Sequence, residues 1–121
     1  MKLEINYTPC ARPSITRTMA EAISLIHGGK PVQYFDTQYK QQKEVNAYHL
    51  HMLDLDDVKI DGDKVRMQGY AAAVLARHVD DVKMNVLVND ITVSITKETT
   101  VDAAMAQYMN KYHASLRSNA D

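Results

Sequence analysis

Between Met84 and Ile95 the chain alternates apolar and polar side chains on either side of Asn89-Asp90, and no other stretch restricts the fold as tightly. Side chains flip faces at every step along a strand. A two-residue turn at Asn89-Asp90 therefore sets Val88 opposite Ile91, Val86 opposite Val93 and Met84 opposite Ile95, all six on one apolar face. Asn and Asp tolerate the positive φ angles that such a turn needs. The pattern dictates an antiparallel hairpin with one buried face. It carries no chemistry.

The rest of the chain supplies what covers that face. Leu3, Ile5 and Tyr7 alternate with Lys2, Glu4 and Asn6, a short strand stopped by Thr8-Pro9. Ile15, Met19, Ala22, Ile23 and Ile26 recur at spacings of three and four, so residues 14–27 read as a helix. Ser14 is its candidate N-cap, with Thr18 and Glu21 as a competing capping box, and Gly28-Gly29 followed by Pro31 stops it. Val32 to Phe35 reads as a strand and the polar run from Thr37 to Glu44 as a loop or a surface turn of helix. Tyr48–Leu55 is read as a strand, although Val45, Tyr48, Met52 and Leu55 also suit a helix. A second hairpin turns at Gly62-Asp63, facing Ile60 with Val65 and Val58 with Met67. Gly69 to Val79 holds strong helix formers, but the alternation of Met67, Gly69, Ala71, Ala73 and Leu75 favours a long strand. Thr99-Thr100 caps a last helix over about residues 100–117, with Val101, Met105, Tyr108, Tyr112 and Leu116 on one face and residues 118–121 as a frayed tail. The expected fold is one α+β domain. An antiparallel sheet of about four to six strands packs against an early and a C-terminal helix.

Composition narrows the function classes more than it names one. With 45% apolar and 24% charged residues in 121, the chain has the balance of a globular domain. Fourteen basic against fifteen acidic side chains argue against a dedicated polyanion binder. A single cysteine, Cys10, rules out an internal disulfide framework and suits a reducing compartment. The charged N-terminal run reads as neither a signal peptide nor an anchor, so the cytoplasm is the expected location.

Two groups of residues stand out as candidate sites. His49 and His51, two apart on a strand, would share a face and chelate a metal with Asp54 or Asp56, although two histidines on a solvated face is the blander reading. Tyr34, Phe35, Tyr39, Lys40 and Lys43 interleave rings with positive charge, as ligand- or partner-binding patches do, although Asp36 and Glu44 dilute them. The aspartates from Asp54 to Asp63 lack the glycine and the terminal glutamate of a calcium loop. His27-Gly28-Gly29-Lys30 is better explained as a helix stop than as an anion turn. His78 with Asp80 and Asp81 could form an acid–base pair but reads better as ordinary solvated loop residues, and His113 has no evident partner in the sequence. The six methionines beyond Met1, spread along the chain, suit a pliable core or a pliable docking surface equally.

No cofactor motif is present, and none is expected to be needed. The leading expectation is a non-enzymatic protein-interaction module, self-associating and binding a larger macromolecule. Self-association is expected through an outer strand such as Leu3–Tyr7, if no helix wraps the sheet edges. A metal-assisted or small-ligand enzyme built on His49 and His51 is the alternative, and nucleic-acid binding stands third.

Overall fold

The structure is a computed structural model that describes residues 2–7, 14–46, 59–61, 64–67 and 76–119. In chain order the elements are β1 (Lys2–Tyr7), α1 (Ile15–Ile26), β2 (Val32–Asp36), β3 (Gln41–Val45), β4 (Lys59–Asp61), β5 (Lys64–Met67), β6 (Val82–Val88), β7 (Ile91–Thr96) and α2 (Val101–Asn119). Five strands form one sheet in the order β4-β5-β1-β6-β7, while β2 and β3 form a separate two-stranded sheet. The fold is α+β, as expected.

The β6–β7 hairpin has the register that alternation dictates: Val88 pairs with Ile91, Val86 with Val93 and Met84 with Ile95. Asn89 and Asp90 both take positive φ, 51° and 64°, as a tight two-residue turn requires. Met84, Val86, Val88, Val93 and Ile95 are buried and Ile91 is half-buried. The opposite face is polar apart from the exposed Leu87, with Lys83 exposed and the Asn85 amide donating to Glu4 Oε1 at 3.0 Å. Ile60 faces Val65 in the β4–β5 hairpin, again as expected.

The placement of β1 differs from expectation. It lies in the middle of the sheet, parallel to both β5 and β6, so Leu3–Tyr7 is no outer strand and the sheet is mixed. The reason is burial. Leu3, Ile5 and Tyr7 join the β6–β7 face in the main core, where a flanked central strand loses all its edge exposure.

α1 fills that core with Met19, Ala22, Ile23 and Ile26. Ser14 is its N-cap, accepting from the Arg17 amide at 3.3 Å, and the chain leaves the helix through Gly28 and Gly29 at φ 77° and 88°. Glu21 is not a capping-box partner. Its carboxylate is buried, accepts from Tyr7 Oη at 2.6 Å and pairs with Arg17 Nε at 3.1 Å. Such partners are what a buried carboxylate needs.

Ala76 is helical and Arg77 and His78 form a turn, so the strand expected over 69–79 does not reach these residues. At Ala76 the helix propensity of the alanine-rich run prevails over alternation. The rest of that segment, the expected strand at Tyr48–Leu55, and Cys10 lie outside the described residues.

α2 does more than cover the face. It runs along β7 and occupies the hydrogen-bonding positions of that edge. The Gln107 amide accepts from Ser94 N at 2.8 Å and donates to Ser94 O at 3.1 Å, and Lys111 donates to Thr92 O. Thr99 Oγ1, just before the helix, accepts from Thr96 N at 3.0 Å. Ala104 and Tyr108 pack into the core, while Met109, Tyr112 and Leu116 on the later turns are exposed. Among the described residues no helix is long and apolar enough to cross a membrane.

Candidate functional site

The run from Thr37 to Glu44, expected as a loop or helical turn, is the tip and second strand of a β-hairpin. Val32 pairs with Val45, Tyr34 with Lys43 and Asp36 with Gln41. Asp36 makes the turn. Its Oδ1 accepts from the amides of Gln38 at 2.9 Å and Tyr39 at 3.2 Å, the side-chain turn that Asp favours. Lys40 closes the loop at φ 53° without a glycine, which is why no turn signal is visible in the sequence. Lys43 Nζ lies 3.0 Å from Asp36 Oδ2 and 4.2 Å from the centre of the Tyr39 ring. Lys43, with help from the two turn amides, holds the Asp36 carboxyl below its ordinary value against the opposing effect of burial.

The hairpin therefore brings Tyr34, Tyr39, Lys40 and Lys43 onto one unit but gives them different tasks. Tyr34 is buried in a small second core with Ala20 and Val45, while Tyr39 and Lys40 sit at the exposed tip. Lys43 is engaged by Asp36 and Tyr39, within the hairpin itself. His49, His51, Asp54 and Asp56 lie outside the described residues. Among the described residues no three His, Cys, Asp or Glu side chains are grouped so as to hold a metal ion.

What the hairpin builds is a cleft of about 790 Å³ between β2, the end of α1 and the start of α2. Val32, Gln33, Tyr34 and Phe35 all line it. Because side chains alternate, four consecutive lining residues bring the edge of β2 to the cleft, and Gln42 of β3, opposite Phe35, adds part of the sheet's face at that end. Among the described residues β2 has a single strand neighbour, β3, on its other side. Ile23, Val101 and Met105 supply apolar wall from the two helices, and Phe35, 52% exposed, stands at the rim.

The polar wall comes from His27, Lys97 and the residues that open α2. Thr100 Oγ1 caps that helix, accepting from Ala103 N at 3.1 Å. His27 is the C-cap of α1, and its pKa is lowered first by burial and then by the charges of Lys30 and Lys97, with a hydrogen bond to the Lys97 backbone acting the other way. A lowered imidazole pKa means that the fold prefers neutral His27. Stability linked to this group is present above the unfolded value of about 6.5 and is lost as pH falls, because the unfolded chain then takes up a proton that the fold resists. Urea unfolding of the parent and of His27→Gln, between about pH 7.5 and about pH 5.5, should show a shallower loss for the variant. Parallel losses would deny His27 this part.

Sequence reasoning singled out Tyr34 and Phe35 on one wall of this cleft and explained His27 as a helix stop, but did not bring the walls together. Val101 and Met105 were legible as an apolar helix face, but nothing local announces that this face would stand beside residues 32–35. Compared with known proteins, the chain matches no family model, no curated protein and no solved structure.

Proposed function

We propose that this chain is a protein-interaction module that receives an extended segment of a partner protein along the edge of β2 that no described strand pairs. The observation that carries the reading is that edge, lining an amphipathic cleft through four consecutive residues. An added strand takes its affinity from backbone hydrogen bonds and its specificity from pockets for alternate side chains. The cleft offers both, with apolar wall at Ile23, Val101 and Met105. Its volume lies within the range of about 300–1,000 Å³ typical of ligand sites. The near-balanced charge suits a protein partner better than a polyanion, and Lys43 is already engaged by Asp36 and Tyr39. A lone cysteine fits work in the reducing cytoplasm.

Self-association is the special case in which the added strand comes from a second copy, the two β2 edges meeting about a two-fold axis. No reaction is assigned to the site.

Selection of unconstrained linear peptides on the purified protein tests the reading. Peptides with dissociation constants of about 1–100 μM are expected, in the range of modest interfaces. Their binding should slow hydrogen exchange at the amides of residues 32–36. Phe35→Asp should weaken them about tenfold or more without lowering the unfolding temperature, because Phe35 is half exposed. Failure to select any peptide, or selection of peptides that leave these amides unprotected, would refute strand addition. A concentration-dependent dimer with the same amides protected in the absence of peptide would identify the second copy as the occupant.

A further inference from the structure

We propose that the segment received by this cleft is basic, with a lysine or arginine seated against Glu98 and Asp102. The inference rests on the strand-addition reading and adds the chemistry of the occupant. Three side chains of fixed charge line the cleft, Lys97, Glu98 and Asp102, all between the end of β7 and the first turn of α2. The cation among them is committed, since its ammonium donates to Val79 O. The two carboxylates are not. Among the described residues neither Glu98 nor Asp102 accepts a hydrogen bond through its side chain, and the two ion pairs, Arg17–Glu21 and Lys43–Asp36, lie elsewhere. Both residues are exposed, so a partner can reach them.

The cleft thus joins an apolar wall to two open carboxylates. His27, which also lines it, adds no charge in the neutral form that the fold prefers. The amides that open α2 offset part of the Asp102 charge, because a helix N-terminus favours anions. What remains still favours a cation over a carboxylate. Charge at the rim of an interface acts on specificity and association rate more than on affinity. A cation therefore selects among extended segments that the strand edge would otherwise accept alike. The charge also bears on where the segment comes from. β2 itself, Val32–Asp36, holds one aspartate and no cation, so the edge of a second copy does not supply this partner. A segment of a different protein does.

The test uses the peptides selected above, which should be enriched in lysine or arginine, each made also with those residues changed to glutamine. On the parent protein the glutamine form is expected to bind about three- to tenfold more weakly, within the range for two exposed ion pairs, and the gap should narrow with added salt. In Glu98→Gln with Asp102→Asn the gap should close. Glu44→Gln, which removes an exposed charge outside the cleft, should leave it unchanged. Circular dichroism checks the fold of the double variant. If that fold is lost, the two single variants decide, each closing part of the gap. Peptides that protect residues 32–36 but carry no cation, or bind equally well with glutamine in its place, would overturn this inference and leave strand addition standing. So would a dimer that protects the same amides without peptide. Absence of any such peptide or dimer would overturn both.

Discussion

Val86→Asp is expected to leave the chain unfolded. Val86 is fully buried in the centre of β6, between Tyr7 of β1 and Val93 of β7. The substitution removes about 1.5–3 kcal/mol of apolar burial. It also places a carboxylate, or its neutralised form, among methyl groups with no donor, at a further cost of several kcal/mol. A domain of this kind has only about 5–15 kcal/mol to lose. Circular dichroism should show no cooperative thermal transition. Lys83→Ala and Thr92→Ala, both on the polar face, should change stability by no more than about 0.5 kcal/mol. The Thr92 side chain is not what α2 uses, since Lys111 bonds its carbonyl. Equal tolerance at positions 83 and 86 would place the opposite set of side chains in the core, a one-residue slip.

That contrast also marks how far the sequence could be read. Local rules determine what is local. Alternation predicts the β6–β7 register, Ser14 predicts the start of α1, and Gly28-Gly29 predicts its end, because each signal lies within a few residues of the structure it produces. The central position of β1 leaves no such signal. Parallel pairing joins Leu3 to Val65 and Val82, and nothing in residues 2–7 distinguishes an edge strand from a flanked one except its apolar half. The β2–β3 hairpin was hidden for another reason. Its turn is made by an aspartate side chain and a left-handed lysine, and its second strand is largely polar on a small, exposed sheet. The cleft inherits both difficulties. Its walls come from three separated segments, so Tyr34 and Phe35 stood out only for their charged surroundings and His27 only as a helix stop, and not for the strand edge and cleft they share.

The same long-range placement decides which edges of the protein can pair. Self-association through Leu3–Tyr7 is removed by its central position, and the β7 edge is occupied by α2. Gln107 does most of this, because its one amide satisfies both the N–H and the C=O of Ser94 as a neighbouring strand would. Gln107→Leu isolates that contact, since leucine is as good a helix former and similar in reach. The Ser94 groups are only part-buried, so water can replace some of what is lost, and the expected cost is about 1–2 kcal/mol. A larger consequence should appear in mass. An uncovered edge with unpaired backbone groups is a template for another strand. Light scattering of the variant should therefore show a mass that rises with concentration above that of the parent protein. Unchanged stability and unchanged mass would mean that the rest of α2, through Lys111 and the packing of Ala104 and Tyr108, suffices to guard the edge. If the prediction holds, α2 guards the β7 edge, while β2 meets the cleft and β4 forms the opposite end of the large sheet.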